Sequence, residues 1–164
     1  MCPTNSQCSP WFALYVKSRH EKTVASHLSG KGLTTFLAMQ HKIYKHGKGA
    51  DVPVFPGYVF CRLDAGQKPL AAATPGVISI VSNGHAPARI ADAEIDALQR
   101  TLASGLPTQS WPYVAQGQRM IINSGPLRGI EGVVEDVSSQ KWLILSVHLL
   151  CRSVAVKINR SICN

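Results

Sequence analysis

The chain has 164 residues, room for one domain or two small ones, and an apolar content ordinary for a globular protein. It carries 17 Lys and Arg against 9 Asp and Glu, a formal net charge of +8, which points to a polyanionic partner and most simply to nucleic acid. Five widely spaced cysteines (Cys2, Cys8, Cys61, Cys151 and Cys163) exclude an evenly paired disulfide framework, and without a Cys-x-x-Cys pair they offer no zinc site.

Residues 1–10 are polar and flanked by proline, and a disordered lead-in is expected there. With no apolar run of signal-peptide type and no stretch of membrane-spanning length, the expectation is a soluble, cytoplasmic protein with reduced thiols, no membrane partner and a monomeric state. Trp11-Phe12-Ala13-Leu14-Tyr15-Val16 reads as a buried first strand. Residues 20–30 read as a helix, with Val24 and Leu28 one turn apart and Gly30 and Gly32 as its stop. Lys17, Arg19 and Lys22 cluster where strand meets helix, beside His20 and His27. Residues 34–44 read as a second strand leading into the basic turn Lys42-Ile43-Tyr44-Lys45-His46-Gly47-Lys48-Gly49. From Lys17 to Lys48 there are seven Lys or Arg and one acid, Glu21.

Asp51 onward is expected to return into the central strand, Val54-Phe55-Pro56-Gly57-Tyr58-Val59-Phe60, with the Pro56-Gly57 pair where the ladder is interrupted, at an entry kink or bulge. Alternation along it puts Val54, Pro56, Tyr58 and Phe60 on one face and Phe55, Val59 and Cys61 on the other. Both faces are apolar, so the strand belongs in the middle of a sheet. In so small a domain one face is short of cover and is a candidate docking surface. Residues 68–73 form a short helix ended by Thr74-Pro75-Gly76, and residues 77–81 a strand. Asp92 caps a further helix that buries Ile95, Leu98 and Leu102. The order describes an α+β fold, a sheet with helices on one side.

Residues 105–116 carry two prolines and no charge, and read as a linker. Beyond it the period changes to 2: Leu143, Leu145, Val147 and Leu149, then Val154, Val156 and Ile158, alternate with more polar neighbours. Four or five short strands in so few residues describe a small closed β-barrel. Its segment Ser124-Gly125-Pro126-Leu127-Arg128-Gly129-Ile130-Glu131-Gly132-Val133-Val134 spaces three glycines at strand junctions, the physical content of a KOW motif.

The strings Trp11-Phe12-Ala13-Leu14-Tyr15, Phe55-Pro56-Gly57-Tyr58-Val59-Phe60, Thr74-Pro75-Gly76-Val77 and the glycine-spaced segment, in that order, resemble the NusG family of transcription elongation factors. The basic hairpin, with Tyr15, Lys17 and His27, is more similar to specialised members such as RfaH and the polysaccharide-operon antiterminators. The resemblance implies an antiparallel NGN domain with flanking helices over residues 11–104, and an SH3-like KOW barrel over 117–164. It implies docking on the clamp helices of the RNA polymerase β′ subunit, with β as a further partner, through Tyr15, Phe55, Pro56, Tyr58 and Phe60. Of these, Phe55 or Val59 is expected to be core.

By the same resemblance, Lys17 and His27 contact the non-template DNA strand, with Arg19 and Lys22 as neighbours and Lys42, Lys45 and Lys48 adding charge from the hairpin. The barrel recruits a small-subunit ribosomal protein or the termination factor Rho, with Ile121, Leu127, Ile130, Leu150 and Arg152 as contacts. The chain departs from the RfaH pattern at Gln67-Lys68-Pro69-Leu70, where a β-subunit contact is made in that branch, and at Pro75, where that branch has arginine. The β-branched alternation of residues 142–158 favours a stable barrel over a helical alternative. No cofactor and no enzymatic activity are expected, because neither Cys61 nor Cys151 has a His-and-acid set nearby in sequence, and no phosphate loop or serine elbow is present. The alternative reading is an RNA-binding or ribosome-associated KOW protein, which leaves the aromatic strand unexplained.

Overall fold

The computed structural model describes residues 9–114 and 117–158. In chain order the elements are β1 (Trp11–Val16), α1 (Glu21–Gly30), β2 (Thr35–Phe36), β3 (Met39–Ile43), β4 (Gly49–Pro53), β5 (Tyr58–Arg62), α2 (Lys68–Ala72), β6 (Val77–Ile80), β7 (Arg89–Ile90), α3 (Asp92–Ala103), β8 (Thr108–Trp111), β9 (Arg119–Ile121), β10 (Glu131–Val137), β11 (Gln140–Val147) and β12 (Arg152–Ile158). The α+β class holds. The chain divides into two compact units: residues up to Leu37 with Phe55–Asp92, and Ala38–Val54 with the residues from Ala93 onward.

The first unit is an antiparallel sheet in the order β2-β5-β1-β6, with β7 paired to the start of β1. Strands β1 and β5 are its centre, which is why their sequences are almost continuously apolar. Phe12, Leu14 and Val16 of β1 pack with Val59 and Cys61 of β5, with Val24 and Leu28 of α1, and with Ala71 of α2. On the opposite face β1 and β5 set Ala13 across from Phe60, and Tyr15 across from Tyr58. This face is filled by rings: Phe60 stacks on Phe36 at 5.8 Å and takes the edge of Phe55 at 6.0 Å.

The interruption expected at Pro56-Gly57 is present, but it ends the pairing altogether: β5 begins only at Tyr58, so the expectation that Val54 to Gly57 belong to the strand is corrected. Residues 55–57 turn instead, because Gly57 sits at φ +85°. The turn breaks the alternation, so Phe55 meets Phe60 rather than pointing away from it. The strand expected over residues 34–44 is likewise split into β2 and β3, and β3 with β4 forms a two-stranded sheet of its own.

In the second unit five antiparallel strands run in the order β8-β12-β11-β10-β9. Cross-strand pairs Leu143–Val156 and Leu145–Val154 are buried on one face. On the other, Val133, Ile144 and Ala155 are covered by Trp111, Trp142 and Val114, the two indoles stacked at 6.0 Å. The Ser146 and Ser153 hydroxyls lie 2.7 Å apart on that face. They bind the Val114 backbone, Ser146 donating to its carbonyl at 3.0 Å and Ser153 accepting from its amide at 3.3 Å. Residues 108–111, expected as part of a linker, are therefore a strand, with Ser110 opposite Val154. Gly132 has the close approach expected of the glycine-spaced segment, since a Cβ there would lie 2.7 Å from the Ile144 carbonyl oxygen.

Candidate functional site

The end of β1 is held by two carbonyls from two loops. The Val16 amide donates to Gly57 at 2.8 Å, and the Lys17 amide donates to Gly76 at 2.9 Å. The Gly57 amide in turn donates to the Glu21 carboxylate at 2.9 Å. Glu21 is the first residue of α1 and is only 6% exposed, so this charge-assisted bond is made out of water. One glycine thus joins the last residue of β1 to the first turn of α1. A Cβ on Gly57 would meet the Tyr15 ring at 3.3 Å, so the absent side chain is what lets Tyr15 lie against this turn.

The result is an aromatic shelf. The Tyr15 and Tyr58 rings lie 5.5 Å apart, tilted by 47°. Tyr15 is 43% exposed, Tyr58 is half-buried and Pro56 is exposed. Tyr15 is the one exposed member of a strand whose other five residues are buried. Of the five residues expected as a docking surface, Tyr15, Pro56 and Tyr58 reach solvent. Phe55 and Phe60, 1% and 0% exposed, do not; for Phe55 this is the core position expected of it or of Val59, and for Phe60 it is a correction, the two rings packing on each other as the floor of the shelf.

Lys17, Arg19, Lys22 and His27 are all exposed in the same unit. The turn carrying the first two closes with the His20 amide donating to Lys17 at 3.0 Å, and Arg19 adopts a left-handed φ of 64° within it. Lys42, Lys45 and Lys48 are exposed too, but belong to the second unit, on the β3–β4 hairpin. In the strand-rich part of that unit Ile121 (57% exposed) and Arg152 are at the surface. Leu127, Ile130 and Leu150, also expected as contacts, are corrected to buried residues, at 1%, 3% and 9% exposed.

Sequence reasoning missed the roles of Glu21 and Gly57 in setting the shelf. The one available signal was a lone acid in a basic tract, at a helix start where a carboxylate suits the dipole. Cys61 is sealed in the first sheet, and burial pushes its thiol up to about 12, the opposite of an activated nucleophile. Among the described residues no group of three or more His, Cys, Asp or Glu could hold a metal ion. No helix among them is long and apolar enough to cross a membrane.

Comparison with known proteins gives these features a context. The family described as "Transcription termination factor nusG" matches residues 9–99. The chain is 32% identical over 112 residues to the transcription termination/antitermination protein NusG of Pseudomonas aeruginosa, covering 65% of this chain and 63% of the relative. It is 31% identical over 113 residues to the protein of the same description from Escherichia coli K12, covering 65% and 62%. The chain therefore spans a little under two thirds of the length of these curated relatives. Among solved structures it is similar in fold to one titled "Domain interaction in Thermotoga maritima NusG", with a TM-score of 0.59 and 18% identity over 96% of this chain and 97% of that one. With the match spanning more than half of its residues, the chain belongs to the NusG family.

Proposed function

We propose that this chain regulates transcription elongation and antitermination by binding RNA polymerase through its first unit. The observation that carries the reading is the Tyr15–Tyr58 shelf, a pair of partly exposed rings at the end of two otherwise buried strands. An aromatic shelf on a rigid sheet suits an apolar partner such as the clamp helices of the β′ subunit, which bury rings without ordering new backbone. Lys17, Arg19, Lys22 and His27 on the same unit then contact the exposed non-template DNA strand. The second unit recruits a ribosomal protein or Rho, with Ile121 and Arg152 as its exposed contacts. By the resemblance the polymerase-binding part extends over residues 11–104, so that it takes in the β3–β4 hairpin and α3 of the second unit besides the first, and the partner-recruiting part extends over 117–164. The basic surface favours a role in the specialised branch of the family.

Binding of purified RNA polymerase to the full chain tests the central step. Tyr58→Ala and Tyr15→Ala keep the fold, because both rings are partly exposed, and each lowers polymerase affinity by about tenfold, in the range of an aromatic hot spot. Unchanged affinity in the double variant overturns the reading.

A further inference from the structure

The segment that follows α3 lies along the second sheet as a strap, and it is gripped almost entirely by its backbone. β8 pairs with the edge of β12, from Thr108 opposite Val156 to Trp111 opposite Ser153. Gln109 and Ser110 are exposed, so the pairing there is main chain to main chain. Past Pro112, both backbone groups of Val114 are bound: its amide donates to the Ser153 hydroxyl at 3.3 Å, and its carbonyl accepts from Ser146 at 3.0 Å. Only two side chains of the strap pack on the sheet's apolar patch. Trp111 stacks on Trp142, and Val114 lies against Val133, Ile144 and Ala155. Tyr113 is exposed and meets His148 only through its hydroxyl and ring edge.

The two serines form a reader of peptide backbone. They are direct cross-strand partners, with hydroxyls 2.7 Å apart. A hydroxyl has one proton and two lone pairs. Ser146 gives its proton to the Val114 carbonyl, so Ser153 gives its own to Ser146 and keeps a lone pair for the Val114 amide. The ring closes around one residue without consulting its side chain. A site of this kind takes any extended segment that offers a free amide and carbonyl at that point, in the manner of a strand added to a sheet edge. When Val114 leaves, Ser153, only 2% exposed, still holds Ser146, so release orphans no buried hydroxyl. The side-chain demands are a flat ring over Trp142 and, three residues later, an aliphatic group on the Val133–Ile144–Ala155 patch.

We infer that this face of the second unit is a peptide-binding site, that residues 108–114 occupy it as a built-in competitor, and that it accepts an extended partner segment with an aromatic residue followed three positions later by an aliphatic one. The inference goes beyond the proposed function. It uses neither the tyrosine shelf nor Ile121 and Arg152, and its test needs no polymerase.

The probe is a fluorescein-labelled peptide with the sequence Pro107 to Val114, capped at both ends and titrated into the full chain. In the parent, the strap competes at an effective concentration on the order of millimolar, so the peptide binds weakly. Trp111→Ala with Val114→Ser unseats the strap and leaves the sheet beneath it unaltered. That chain binds the peptide at least about tenfold more tightly than the parent does. Adding Ser146→Ala and Ser153→Ala to it lowers the affinity by roughly tenfold, and N-methylation of the peptide's valine, which removes the donor that Ser153 reads, also weakens binding. In the parent chain, an excess of unlabelled peptide speeds amide exchange over residues 108–111 and leaves β10 unchanged. Equal affinity of the parent and the unseated chain, indifference to valine N-methylation, or unaltered exchange in the parent overturns the inference. If the unseated chain does not fold, exchange in the parent decides.

Discussion

The two basic regions of this protein carry similar charge on very different supports. At the β1–α1 junction, Lys17 and Arg19 sit on backbone tied into a five-stranded sheet by Val16, Lys17, Gly57 and Gly76, with the buried Glu21 as the anchor. On the hairpin, Lys42, Lys45 and Lys48 sit on a two-stranded ribbon where the contact between His41 and Asp51, 2.8 Å long, is exposed on both sides. A two-stranded ribbon is marginal by itself, whereas a sheet packed on a helix is not. The junction is thus braced by a packed sheet, while the exposed end of the hairpin is held by its own ladder and closing turn.

The comparison can be broken most severely at the floor of the shelf. Phe60→Ala removes a ring that is 0% exposed and touches two others, and should cost about 3–5 kcal/mol in denaturant unfolding. A loss below 1 kcal/mol, the scale of an exposed position, would mean that the junction is not rigidly founded. Next in size is Glu21→Ala, which strands the Gly57 amide in a buried place and should cost about 1–3 kcal/mol. It should also weaken polymerase binding by displacing Tyr15, although Glu21 itself is buried.

The Cys61 thiol sharpens the same point through pH. Its folded value is raised from 9.0 to about 12, so the stability that its neutral form contributes is full below about pH 9 and falls away as pH climbs toward 12. At neutral pH a thiol reagent should label Cys61 only at the rate at which the first sheet opens, with addition of denaturant speeding it; rapid labelling of the native protein would contradict the packing described. The smallest effect belongs to the hairpin. Asp51→Ala removes an exposed pair and should shift stability by no more than about 0.5 kcal/mol. Native-state amide exchange should order the regions in the same way, with Gly47 exchanging before Val16.

Much of the first unit was legible because its centre is written in continuous apolar runs. Trp11 to Val16 and the Val24–Leu28 stripe announce a buried strand and a helix directly. At residues 54–57 the Pro56-Gly57 pair announces the break in the ladder, but Val54 to Phe60 keeps its apolar character straight through it, and hydrophobicity does not report φ, so the alternation of Val54 and Phe55 across the turn was not legible. Strand β8 was invisible for the opposite reason. Thr108-Gln109-Ser110-Trp111 lies at a sheet edge with its middle residues exposed, so its pairing with β12 is made by backbone groups that leave no mark on side-chain pattern. In the candidate site, the rings were legible and their sorting into floor and surface was not. That sorting depends on which ring meets which across a turn, a tertiary fact. Leu127, Ile130 and Leu150 fell to the same limit, since an apolar residue beside a glycine corner can face either way.

Each unit also contains its own optical probe. Trp11 lies buried under the Arg62 guanidinium at 4.8 Å, while Trp111 and Trp142 stack on the second sheet, and these are all the tryptophans in the chain. Emission from a Trp11→Phe variant would follow the second sheet alone, and the difference from the parent would follow the first. Whether the two melt together or in sequence is thus open to a label-free fluorescence titration.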